Sequence, residues 1–359
     1  MRPYILVAVL ILIGGAIWFL ESQSSDRTSL ADVVSLTPRT LDSEEKAKIY
    51  PTAKEITSPD GFINTDEIAI GDLIGKKVIL VDFWTYSCIN CQRTFPYLNS
   101  WYEKYKDQGL EIVGIHTPEF EFEKKYENVL AATERFDINF PVVLDNDFST
   151  WTAYQNRYWP RKYLIDIDGY IVYDHIGEGA YEETEKKIQE LLKERMEVLG
   201  EEGEIVGDLT EEVTKASRPD SPEIYFGAWR NEHFGSGPQN AVGSQSFYAP
   251  EEVKLNTLYF DGVWSITEEY SENVTAGGKI IFRFKASEVN FVAGAETPVR
   301  AKVLVDGVPA NGRDVDGEGY ITVDEEQLYN LVSSEEKEEH TIEIIPESPG
   351  LQAFTFTFG

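Results

Sequence analysis

Cys88 and Cys91 are the only two cysteines in a chain of 359 residues, and they stand three apart in WTYSCINCQRTFPYLNSWY, Trp84 to Tyr102. Thiols at that spacing bind a metal, form a static staple, or cycle between dithiol and disulfide. Tetrahedral zinc takes four ligands, and the histidines at 116, 175, 233 and 340 include no near neighbours in sequence. A staple closing so short a loop would restrain the unfolded chain little. Redox cycling is the reading left. It asks for a helix that begins at the pair, so that backbone N–H groups and the helix dipole favour a Cys88 thiolate. Cys91 then lies shielded one turn further on, placed to attack a mixed disulfide.

Other residues fit this chemistry. Asp82 lies inside the apolar run VILVDFW, between Val81 and Phe83. Buried there, its carboxyl is raised toward neutral pH and suits proton transfer from Cys91; facing water at a strand edge, it would do neither. Pro160, in RYWPRKYLID, is either a cis proline presenting the Trp159 backbone to an extended substrate or a plain trans turn proline. Glu119, in GIHTPEF, follows a predicted strand at its C-terminal end, where sites of α/β sheets gather. It is a second proton-handling carboxylate or a solvated loop residue. Trp84 and Tyr86 are assigned, with Trp159 and Pro160, to the substrate-binding surface. No cofactor beyond the Cys88–Cys91 disulfide and no metal is expected.

The elements that must position these residues are legible in the hydrophobic pattern. KVILVDFW (77–84), EIVGIHT (111–117) and FPVVLD (140–145) are apolar, β-branched runs of buried-strand type. Helical periodicity covers Thr94 to Tyr105, Phe120 to Phe136, Trp151 to Tyr158 and Glu182 to Leu199. KYLIDIDGYIVYDHIG (162–177) predicts a hairpin about Asp168-Gly169. The alternation implies a mixed sheet with helices on both faces. Beyond an acidic linker at 200–221 the pattern changes to short alternating segments such as KIIFRFKA, VRAKVLVDGVPA and LQAFTFTFG, which predict an antiparallel β-sandwich over 222–359.

Together VDFWTYSCINC, GIHTPEF, FPVVLDN, NRYWPRKYLIDIDG and GEGAY closely resemble the thioredoxin-like domain of DipZ-type cytochrome-biogenesis proteins, which is similar to the TlpA and ResA-like thiol–disulfide oxidoreductases. The resemblance covers about Gly61 to Leu192. It implies a thioredoxin fold with Cys88 as attacking nucleophile, Cys91 as resolving thiol, Pro160 as the cis proline, Asp82 as the buried aspartate, and Glu119 in the place of the active-site glutamate of ResA-like proteins. SPEIYFGAWR and GVWSITEEY look like the carbohydrate-binding-module-like β domain of the same family. Tyr225, Trp229, Phe234, Tyr259, Phe260 and Trp264 there form either a glycan-stacking platform or sandwich core, and core is favoured.

The surroundings narrow the setting. Asp plus Glu number 63 against 32 Lys plus Arg, a net charge of −31 that repels phosphate backbones and argues against nucleic-acid binding. MRPYILVAVLILIGGAIWFL carries Arg2 before an apolar run from Tyr4 to Leu20, the pattern of a single N-terminal membrane anchor (1–21) with everything after it outside the cytoplasm. A polar tether (22–54) leads to the thioredoxin-like domain at 55–199. DipZ-type proteins carry a polytopic electron-transferring domain before the thioredoxin part, whereas this sequence shows one candidate span. A separate membrane electron donor of the DipZ/CcdA type is therefore implied, with exported disulfide-containing proteins as substrates and a glycan or protein ligand of the β domain. The expected activity is thiol–disulfide exchange in the reducing direction, which includes a place in cytochrome c maturation. Two rivals are peroxide reduction, suggested by Thr85 three residues before Cys88, and a scaffold acting mainly through the β domain.

Overall fold

The computed structural model describes residues 43–211, 213 and 218–359. The predicted anchor at Tyr4 to Leu20 lies outside the described residues, and among those described no helix is long and apolar enough to cross a membrane.

Six strands form a mixed sheet: β1 (Gly61–Ile63), β2 (Val78–Trp84), β3 (Leu110–His116), β4 (Val142–Leu144), β5 (Arg161–Ile165) and β6 (Ile171–Ile176), in the order β1-β4-β3-β2-β5-β6. β2, β3 and β4 run parallel, while β1, β5 and β6 are antiparallel to their neighbours. Every residue of β2 is buried, as expected of a central strand covered on both faces. Gly114 stands beside Asp82 in the β2–β3 register, where a Cβ would meet the Trp84 Nε1 at 2.8 Å; only glycine leaves room for that indole. Asp168-Gly169 does mark the hairpin turn, with Gly169 at φ +89°.

Helix α1 (Ile89–Tyr105) begins at the cysteine pair, earlier than the periodicity from Thr94 implied. Its Phe95, Leu98, Trp101 and Tyr105 recur at helical spacing and are fully buried. The helix predicted over 120–136 is instead a one-turn 3-10 segment, Glu121–Lys124, followed by α2 (Tyr126–Arg135). The break follows from Glu123, whose buried carboxylate accepts the backbone N–H groups of Glu119 (2.6 Å) and Phe120 (3.0 Å) and folds the chain around itself. The short helix predicted at 151–158 is Ser149–Ala153. α3 (Tyr181–Leu199) closes this part.

From residue 224 all pairings between strands are antiparallel. Rather than two separate sheets, one continuous sheet folds over a core rich in phenylalanine. The strand Lys279–Gly294 makes this possible. Its first part pairs with Leu258–Ile266 and its last with Gln352–Phe358, with a bulge between Ala286 and Glu288.

The two parts share one core. Val292, Leu328 and Phe354 of the β region are buried in the same cluster as Phe95, Phe120 and Phe122. The Phe354 ring meets Phe120 at 5.2 Å and Phe122 at 4.8 Å between centroids. The linker is tied down as well. Gln108 holds Val206 through both its N–H (2.8 Å) and its carbonyl (2.7 Å), and the Glu185 carboxylate accepts from Thr210 N (2.7 Å).

Candidate active site

Cys88 is the N-cap of α1, in extended backbone, and its Sγ accepts the Cys91 N–H at 3.3 Å. That contact comes from one of the helix-terminal N–H groups left unpaired by the helix itself. Cys88 is partly exposed and Cys91 fully buried. Burial above all, then the hydrogen bond and charge of Cys88 and the charge of Asp82, push the Cys91 thiol well above its ordinary range. One thiol is thus open to substrate, and its neighbour needs help to ionise.

Asp82 is 1% exposed, and neither carboxylate oxygen has a hydrogen-bond partner among the described residues. Burial raises its carboxyl to about 7, against the pull of Lys162. Lys162, absent from the sequence-based site, lies directly opposite Asp82 in the β2–β5 register and is itself 0% exposed. Its ammonium donates to Gly177 O at 3.1 Å. Burial lowers its pKa, while Asp82, Cys91 and Glu178 act in the other direction. Cys91, Asp82 and Lys162 therefore form one electrostatically linked group beneath the exposed thiol.

The Trp159–Pro160 peptide bond is cis. Trp159 is half-buried, its indole donating to Thr117 O at 3.0 Å and packing 4.4 Å from Trp151. Two assignments to the substrate surface are corrected. Trp84 is fully buried, edge-on to Phe95 and His116, so it supports the active-site loop from inside. Tyr86 is 3% exposed and stacks on His116 at the base of a cleft of about 470 Å³ between α2 and the β region. His116, fully buried, is lowered to about 3 by desolvation and stays neutral.

Glu119 is committed elsewhere. Its Oε1 accepts from Arg230 at 2.6 Å and from the Tyr225 hydroxyl at 2.8 Å, and the Arg230 guanidinium lies 3.7 Å from the Tyr225 ring centroid. Glu119 thus clamps the two parts together. The carboxylate that reaches the cysteine loop is Glu123, fully buried, which accepts from Ser87 Oγ at 2.6 Å and Ser87 N at 3.2 Å. Desolvation raises its carboxyl. Thr85, the residue behind the peroxide reading, is buried with its hydroxyl 3.5 Å from His116 Nε2. Of the six aromatics considered for glycan stacking, Phe234, Tyr259, Phe260 and Trp264 are buried and Tyr225 is in the clamp; Trp229 alone is exposed, at 62%.

Residues 75–171 match a family model described as thioredoxin-like, and 221–359 match one described as a thioredoxin-like C-terminal domain. Protein DipZ of Mycobacterium tuberculosis is 34% identical over 313 residues, 86% of this chain but 43% of DipZ, so the chain spans less than half of that relative. The thiol–disulfide oxidoreductase ResA of Bacillus cereus is 34% identical over 134 residues, 36% of this chain and 74% of ResA. YkuV of Bacillus subtilis, also a thiol–disulfide oxidoreductase, is 29% identical over 41% of this chain and 98% of its own length. With its cysteine pair at a helix N-terminus, the chain belongs to the thioredoxin-like thiol–disulfide oxidoreductase family.

Proposed function

We propose that the protein reduces disulfides of exported proteins from the outer face of a membrane, where the Tyr4–Leu20 segment anchors it. The observation that carries the reductive direction is the unfavourable setting of a second thiolate, with Cys91 fully buried and subject to the charge of Asp82. Ile89 and Asn90, between the cysteines, add no cation. With Cys91 held neutral, the reduced pair gains nothing from a second thiolate, unlike the reduced form of a strong oxidant.

The Cys88 thiolate attacks one sulfur of the substrate disulfide. That bond breaks, the first substrate sulfur leaves as a thiolate and takes up a proton, and Cys88 is joined to the second. Cys91 passes its proton to Asp82 and attacks the Cys88 sulfur, which releases the second substrate thiol. Two electrons pass from the dithiol to the substrate, leaving Cys88–Cys91 oxidised. A membrane-embedded thiol donor returns the two electrons. Apocytochrome cysteines are one substrate class consistent with the likeness to DipZ.

The roles separate by mutation. Cys91→Ser accumulates mixed disulfides with substrate, seen as adducts on non-reducing gels and by mass, whereas Cys88→Ser forms none and has no turnover. Turnover by Cys88→Ser would refute the assignment.

A further inference from the structure

Between α1 and the β region lies a cleft of about 910 Å³ that the redox chemistry leaves unused. Ile89 and Gln92 line it, and they flank Cys88 on the first turn of the helix, where Gln92 N donates to Cys88 O at 3.0 Å. A substrate joined to Cys88 must therefore run beside this cleft.

Its lining is unusual for so acidic a chain. Arg93, Arg218, Arg313 and Lys337 line it with a single acidic side chain, Glu288. Arg93 is held by Glu178 and Glu288. The partners of the outer cations are exposed: Arg313 meets Asp314 at 3.1 Å and Lys337 meets Asp220 at 3.4 Å. Such pairs are weak and easily exchanged for another carboxylate.

The cleft also holds a fixed, unpaired donor. Asn330 Oδ1 accepts from Arg313 N (2.9 Å) and Ser333 Oγ (2.8 Å), which orients its amide. Its Nδ2 then donates to Asn290 Oδ1 at 3.0 Å. That orients Asn290 in turn and leaves its Nδ2 as a buried donor with no acceptor among the described residues. Asn290 is 1% exposed and lines the cleft. An unpaired buried donor is costly unless a ligand supplies the acceptor.

We infer that this cleft is a substrate subsite for an acidic polypeptide segment flanking the target disulfide, a subsite that presupposes the reductase chemistry proposed above. Asn290 gives a hydrogen bond to a carbonyl or carboxylate oxygen of the segment, while Arg313 and Lys337 carry its charge. The net charge of −31 predicts the opposite preference, because long-range repulsion disfavours acidic substrates.

Two disulfide peptides of one scaffold, flanked by glutamates or by lysines, decide the matter at low ionic strength. Each kcat/KM is divided by that protein's rate on hydroxyethyl disulfide, a small neutral substrate. The intact protein should favour the glutamate peptide roughly three- to ten-fold, the sum of a few exposed ion pairs. The preference should vanish in Arg313→Glu/Lys337→Glu and fall in Asn290→Asp, which puts an acceptor where the donor stood. Preference for the lysine peptide, or a glutamate preference that survives charge reversal, overturns the subsite while the reductase reading stands. Failure of the intact protein to reduce even hydroxyethyl disulfide overturns both.

Discussion

Asp82 and Lys162 face each other across the antiparallel β2–β5 pair, and both are buried from water. Two opposite charges this deep are retained at a cost in desolvation that their attraction need not repay. Their position beneath Cys91 gives them a chemical reason to be there. Lys162 keeps the Asp82 carboxyl low enough to accept a proton near neutral pH, and burial keeps it high enough to return one.

Lys162→Met removes the charge that lowers Asp82. The apparent pKa for resolution of the mixed disulfide should rise by roughly one unit, read from stopped-flow rates across pH. Attack by Cys88 should be affected less. A profile that does not move would mean that Lys162 acts only in packing.

Asp82→Asn separates function from stability. It should slow resolution about ten- to hundred-fold and first attack far less. The folded carboxyl is raised from 3.8 to about 7, so between these values the folded protein holds a proton that the unfolded chain has lost. Stability of the intact protein therefore falls as pH rises through that window, and the variant lacks this slope. Above it the variant gains at most about 4 kcal/mol, less the cost of stranding Lys162. Urea titrations at acid and alkaline pH read the difference, and a slope identical in both proteins would contradict the buried-acid assignment.

Glu119→Gln tests the reassignment of that carboxylate. It weakens the contact with Arg230 and Tyr225 and should cost about 1–2 kcal/mol of stability. It should leave the pH profile of resolution in place. A shifted profile would return Glu119 to the proton-transfer path.

Local chemistry was legible in the sequence, and tertiary register was not. The cysteine spacing after a buried strand located the helix N-terminus, and the apolar flanks of Asp82 located the buried acid. Lys162 could not be found in this way, because its role depends on which residue it faces across β2 and β5. Glu119 and Glu123 lie four residues apart in one loop, and no pattern tells which turns inward; the fold turned Glu123 in and gave Glu119 to Arg230. The linker lacks a hydrophobic pattern because the side chains of Lys104, Gln108 and Glu185, rather than its own burial, hold its backbone. Phe354, in a strand that alternates like its neighbours, gave no sign that it belongs to the other core.

The reduction potential of the Cys88–Cys91 pair tests the central claim most directly, measured in the intact protein equilibrated against dithiothreitol or glutathione buffers. A value near roughly −270 mV, that of thioredoxin, is the result expected of a reductase. A value near about −120 mV, that of a strong disulfide donor, would reverse the direction of electron flow and contradict it.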